Sequence, residues 1–240
     1  METMKRTVSL LALLLVMALP AMALPIPSEP WYDPITHPAQ SNAELNLYQI
    51  VNLLYGTSYT SNAAMEFAAI SSSIFSGQQT LVAEAKYAGH NPQEMGWYQP
   101  VGAGPVTTYT PLLSVSGKGV AGFPGNTLAG TLSSTFNPAG PFGFYLESPQ
   151  NSGNNFYSES WRNAGADHLV IYDLGTLVGA PHANRYLLGW EDVPYSQADK
   201  DYNDLVVELT SVVPEPASML LLGLGIAGMV VRKRFRAQTA

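Results

Sequence analysis

From residue 79 to residue 210, short runs of strand-forming residues are broken at close intervals by glycine, proline and asparagine. That punctuation constrains the fold more than any other feature. Runs this short cannot build a helical core, and their turn residues suit tight reversals between antiparallel strands. The strand-like runs are 80–88, 96–98, 106–116, 142–147, 156–161, 167–173, 185–192 and 202–210, with Gly- and Asn-rich turns at 117–130 and 151–155. The expected fold is mainly β, an antiparallel β-sandwich of jelly-roll-like form. No repeat of fixed period and no second domain interrupts it.

Residues 41–78 have a different texture. Ser41-Asn42-Ala43-Glu44 matches a capping box, Leu47, Val51 and Leu54 recur at helical spacing, and Gly56 is placed as a stop. An Ala-rich stretch, 62–75, predicts a second short helix closed by Gly77. One or two short N-terminal helices therefore precede the strands. Ahead of them, residues 24–40 hold five prolines and read as an extended leader.

The two ends predict export. Lys5 and Arg6 precede an apolar run at 8–19, Pro20 breaks it, and Ala21-Met22-Ala23 follows. This is the layout of a cleaved secretory signal peptide over 1–23. At the other end an apolar stretch, 217–231, predicts a single transmembrane helix, with the basic run Arg232-Lys233-Arg234-Phe235-Arg236 kept on the cytoplasmic side. Its 15 residues would reach roughly 22 Å, short of a ~30 Å hydrocarbon core, a gap that snorkelling bases or a thinned bilayer would close.

Charge narrows the partners. Between residues 24 and 213 there are sixteen acids against five bases, a balance of −11. Such a body repels nucleic acid and anionic lipid and attracts cations. There is no cysteine, which excludes disulfides and thiol chemistry.

The acids crowd in one place. Glu191, Asp192, Asp199, Asp201 and Asp204 lie with Lys200 between two predicted strands, 185–191 and 202–209, so they gather at one end of a hairpin. Carboxylates with the Asn203 carbonyl form an oxygen ligand set of the kind Ca²⁺ prefers. Asp199-x-Asp201-x-Asn203 begins like an EF-hand loop, but the glycine and glutamate such a loop requires are replaced by Asp204 and Thr210. The candidate ligands are Glu191, Asp192, Asp199, Asp201, Asn203 and Asp204. A metal-free turn capped by Asp and Asn side chains fits the same residues.

Catalysis has little support. No Gly-x-Ser-x-Gly elbow, zinc-binding His motif, P-loop, dinucleotide fingerprint or Glu-x-Asp-x-x-Glu glucanase strand is present. The expectation is a non-catalytic protein. As an alternative, Trp97, Tyr98, Trp161 and Trp190 are candidates for stacking against a glycan, and core packing is the simpler use of such rings.

Two resemblances add to this reading. Pro214-Glu215-Pro216, the apolar stretch and the basic tail over 213–240 resemble the PEP-CTERM sorting signal. That resemblance implies a Gram-negative bacterium, recognition by an exosortase, use of the secretion machinery, transient membrane anchoring and association with exopolysaccharide or biofilm surfaces. Phe142-Gly-Phe-Tyr-Leu, Leu187-Leu-Gly-Trp-Glu-Asp and Asp199-Lys-Asp-Tyr-Asn-Asp-Leu-Val-Val, over about 131–209 within a body of 41–212, resemble the bacterial surface β-domain DUF4114. It implies a sandwich fold outside the cell and no particular activity.

Overall fold

The computed structural model describes residues 44–71, 73–87, 91–148, 154–194 and 201–211. Among these described residues, eleven strands form two antiparallel sheets. The first sheet contains β1 (Gln79–Lys86), β4 (Gly119–Val120), β6 (Ser133–Phe136), β9 (Leu169–Asp173), β10 (Arg185–Trp190) and β11 (Leu205–Ser211). Its order is β4-β1-β11-β10-β9, with β6 also paired to β1. The second contains β2 (Gln93–Gln99), β3 (Thr108–Ser116), β5 (Ala129–Thr131), β7 (Gly143–Ser148) and β8 (Asn154–Tyr157), in the order β5-β3-β2-β7-β8.

The apolar core fills the space between the sheets. Leu81, Ile171, Leu188, Trp190, Val207 and Leu209 meet Met95, Leu113, Val115, Phe142, Phe144 and Leu146. A second apolar layer lies on the other face of the first sheet. There the helix Leu47–Tyr55 and the 3₁₀ helix Asn62–Ala68 cover Ala85, Val170, Leu187 and Val206 with Leu47, Ile50, Val51 and Met65. The first sheet is thus buried on both faces, which explains why β10 and β11 read as near-continuous apolar runs.

Gly189 lets the helical layer approach this closely. A Cβ at that position would sit 2.7 Å from the Tyr202 carbonyl oxygen, 3.1 Å from Leu47 Cδ2 and 3.2 Å from Val170 Cγ2. The helix itself starts later than the Ser41 to Glu44 pattern implies. Asn46 is the N-cap, and the Gln49 side chain accepts its backbone N–H at 2.9 Å. Residues 41–43 lie outside the described residues. Gly56 ends the helix at φ 67°, as its position predicts.

The second predicted helix is half right. Residues 62–68 form the 3₁₀ helix, with Ser61 Oγ accepting the Ala64 N–H. Beyond Ala68 the chain becomes extended, because Ile70 donates its N–H to Ile171 and Phe75 pairs with Phe142. These sheet contacts outweigh the local preference of the Ala-rich stretch. The short strand β6 is one that the Ser- and Thr-rich sequence did not reveal; it pairs with β1 from Gln79↔Phe136 to Val82↔Ser133.

One irregularity directs a side chain toward the acidic end. Between Ala83 and Ala85 the pairing of β1 with β11 slips by one residue. Ala83 packs between the sheets, while Ala85 belongs to the layer beneath the helix. The slip turns the following residue, Lys86, to the same face as its partner Leu205.

No described helix is long and apolar enough to cross a membrane. The expected signal peptide, leader and transmembrane segment fall outside the described residues.

Candidate functional site: the acidic end of the hairpin

β10 and β11 form the expected antiparallel hairpin, in register from Arg185↔Thr210 to Trp190↔Leu205. The chain leaving β10 carries Glu191 and Asp192, and the chain entering β11 carries Asp201, Asn203 and Asp204. Asp199 lies outside the described residues. Glu191, Asp192, Asp201 and Asn203 are all buried, between 1% and 5% exposed.

Backbone amides hold these acids in place. Glu191 Oε1 accepts the Tyr202 N–H at 2.7 Å, and Asp204 Oδ2 accepts the Asp192 N–H at 2.8 Å. These two bonds cross the hairpin in opposite directions and tie its ends together. Asn203 donates from Nδ2 to Asp201 Oδ2 at 2.6 Å and to the Leu45 carbonyl at 2.8 Å, pinning the turn to the segment that enters the first helix. Tyr202 takes the left-handed conformation at φ 53°, and its hydroxyl reaches the Asp167 carbonyl at 3.1 Å.

The electrostatic consequence is strongest at Asp204. Burial raises its pKa well above the ordinary carboxylate range, and Asp192, Glu191 and Asp201 raise it further, against the bond from the Asp192 amide. The opposing charge is Lys86, which is fully buried. Burial lowers its pKa, while Asp192 and Asp204 favour its charged form. Its Nζ also donates to the Gly117 carbonyl at 3.3 Å. No local pattern around the acids points to Lys86, because it arrives from β1, far away along the chain.

Among the described residues, no group of three or more His, Asp or Glu side chains is arranged to hold a metal ion. Glu191 Oε1, Asp201 Oδ2 and Asp204 Oδ2 accept backbone or amide N–H groups instead. His168 is buried, stacks on Phe156 with centroids 3.8 Å apart, and has its pKa lowered to about 4 by burial. His168 thus serves as a packed ring just ahead of β9.

The four candidate stacking aromatics separate cleanly. Trp190 and Tyr98 are fully buried, so neither ring can meet a glycan in solvent. Trp97 packs against the core beside Phe142. Trp161 alone of the four is exposed, at 49%.

A second ionic cluster escaped the sequence reading. Glu208, buried in β11, accepts the Tyr55 hydroxyl at 2.9 Å and is ion-paired with Arg185, whose Nη1 lies 3.0 Å from His182 Nδ1. Beside it the Glu84 carboxyl is raised to about 7 by burial and then by Glu208. A raised folded-state pKa means that the native chain holds a proton the unfolded chain has released. Stability therefore falls as pH rises from the unfolded value, near 4.5, through about 7. Glu84→Gln should melt higher than the parent at pH 8 and level with it near pH 4. Equal melting temperatures at pH 8 would remove Glu84 as a source of the pH dependence.

Comparison with known proteins agrees with the architecture. Residues 136–212 match DUF4114, a domain of unknown function, and residues 212–234 match the PEP-CTERM protein-sorting motif. No curated protein and no solved structure matches the chain. The stretch matching DUF4114 runs from the end of β6 through β11. It is not a separate unit in the fold, since β1 pairs with β11 and β2 with β7. The sorting motif marks an exported protein that is handled by an exosortase in the secretion pathway and delivered to the cell surface or beyond. Neither matched family is known as a family of enzymes. Pro214, Glu215 and Pro216 lie within the matched motif and outside the described residues.

Proposed function

We propose that this chain is a non-catalytic component of the cell surface or extracellular matrix. In this reading a signal peptide over 1–23 exports it, the 217–231 helix anchors it until exosortase processing, and exopolysaccharide of a biofilm surrounds it. The sandwich is its working part, and Ca²⁺ stabilises the acidic end. The observation that carries the Ca²⁺ reading is the gathering of acids there: among the described residues, Glu191, Asp192, Asp201 and Asp204 lie together beside the buried base Lys86. A hard divalent cation relieves that repulsion with oxygen donors alone. Asp199, two residues before Asp201 in the sequence, is the further carboxylate on offer.

Thermal melting of the full chain in mild detergent tests this. Ca²⁺ in excess should raise Tm over an EDTA-treated sample, by about 2.7 kcal/mol of added stability at a hundred times the dissociation constant. The rise should vanish in Asp201→Ala. An unchanged Tm across a wide Ca²⁺ range would leave the acids as turn caps only.

A further inference from the structure

The outer face of the second sheet is paved with tyrosine. Register places Tyr98 of β2 opposite Tyr109 of β3, and Tyr145 of β7 opposite Tyr157 of β8, on the face turned away from Met95, Phe144 and Leu146. Two glycines make room for the rings. A Cβ on Gly96 would lie 2.7 Å from Tyr145 Cε1, and one on Gly143 would lie 2.4 Å from Tyr98 Cζ. The rings of Tyr145 and Tyr98 therefore lie over neighbouring strands and form a layer on the sheet.

That layer carries a more exposed one. Tyr109 packs edge-on against Tyr145 and Tyr157 against Tyr98, at 5.3 and 5.1 Å between centroids, and the Tyr109 and Tyr157 hydroxyls meet at 2.6 Å. Trp161 extends the strip from the 3₁₀ helix Ser160–Asn163 that follows β8. Its Nε1 donates to Glu159 at 3.0 Å, and the Arg162 guanidinium lies 4.3 Å from its ring centroid. Glu159 also accepts the Tyr98 hydroxyl at 2.6 Å and Arg162 Nε at 2.9 Å. Burial opposes the Glu159 charge, but bonds from Tyr98, Arg162, Trp161 and Gly102 outweigh it and hold its pKa below the ordinary value. The exposed rings of Tyr109 and Trp161 are thus set in place by neighbours that are themselves fixed.

We propose that this face binds a neutral polysaccharide chain, with Tyr109, Tyr157 and Trp161 as the stacking surface. The proposal rests on the matrix reading above and names the site by which the protein would hold the glycan. Pyranose rings present C–H faces that pack on aromatic rings and hydroxyls that need polar neighbours, and tyrosine offers both at low entropic cost. Charge selects the class. Burial raises the Tyr145 pKa, and Glu147 and then Glu94 raise it further, so these carboxylates border the strip; the body is also strongly acidic. Arg162, the base at the strip, is committed to Glu159 and to the carbonyls of Pro100, Gly102 and Gly104. An acidic polysaccharide or a nucleic acid meets repulsion here, and among the described residues the base at the strip is already committed.

Retention of the full chain, in mild detergent, on cellulose, curdlan and starch tests this, with alginate as the acidic comparator and the producing bacterium's own exopolysaccharide as a further arm. Retention on at least one neutral glycan is expected, weakened roughly tenfold or more by Trp161→Ala and by Tyr109→Ala. Tm should stay near the parent's in both. Phe67→Ala removes a residue 63% exposed on the helical side and should change nothing, which excludes general apolar adhesion. Retention on alginate alone, or unchanged retention in both aromatic variants, would overturn the site. Binding to the native exopolysaccharide that survives both substitutions would refute this face while keeping the matrix reading. No retention on any matrix would refute both.

Discussion

Lys86→Met should cost the domain about 3–5 kcal/mol at neutral pH, although methionine fills nearly the same volume. Lys86 is fully buried and its charge is favoured by Asp192 and Asp204. Removing the ammonium takes away a positive charge that Asp192 and Asp204 favour and leaves their mutual repulsion less compensated. The loss has a direction in pH. Asp204 already holds its proton more tightly in the folded chain than in the unfolded one. Its ionisation therefore destabilises the fold as pH rises, and the loss of Lys86 steepens that slope. Urea unfolding of parent and variant at pH 7 and pH 4.5 should show a large gap at the first and a smaller one at the second. Burial of His168 as a neutral ring lowers stability as pH falls from 6.5 through about 4, but it does so in both proteins and cancels in the comparison. A variant as stable as the parent at pH 7 would contradict the compensating role of Lys86.

The second large effect is expected at Trp190. This ring is fully buried between the sheets, among Leu188, Leu205, Val207 and the aromatics of the second sheet. Trp190→Ala should cost about 3–5 kcal/mol by lost burial and residual cavity. Trp190→Phe should cost much less. It keeps most of the apolar contact and removes an indole N–H that is buried with no hydrogen-bond partner among the described residues. The pair separates the two exposed-or-buried roles of tryptophan in this chain. Trp190→Ala should lower Tm steeply, whereas Trp161→Ala should leave it nearly unchanged and act on binding. A Trp190→Ala variant that melts with the parent would contradict the placement of this ring in the core.

The sandwich was legible because its turn residues and strand-forming runs agree along the chain. β10 and β11 and the acidic turn between them were legible for the same reason, since a hairpin is a local structure. Two things were not. The first is anything that depends on distant pairing. Lys86 lies in β1, and only the slip between Ala83 and Ala85 aims it toward Asp192 and Asp204; no local pattern encodes that slip. Glu84 and Glu208 are brought together in the same way across the β1 and β11 pair. The second is which aromatics face solvent. Alternation normally answers that question. Here both faces of the first sheet are covered, so Trp190 and its neighbours give no contrast between inside and outside. On the second sheet Tyr98 looks outward by register and is still covered by Arg162 and Tyr157. A clue to the aromatic face was present in Gly96 and Gly143, small residues within strands that make room for a neighbouring ring.

The export of this chain rests on its sorting motif. The central proposal concerns the acidic end, where Ca²⁺ would bind the carboxylates of Glu191, Asp192, Asp201 and Asp204 beside the Lys86 ammonium. Isothermal titration of Ca²⁺ into the EDTA-stripped, dialysed full chain at pH 7 tests it most directly. The account predicts saturable binding of one ion per chain, lost in Asp201→Ala and weakened as pH is lowered and the carboxylates take up protons. Absence of saturable heat in the parent, or the same heat in Asp201→Ala, would contradict it.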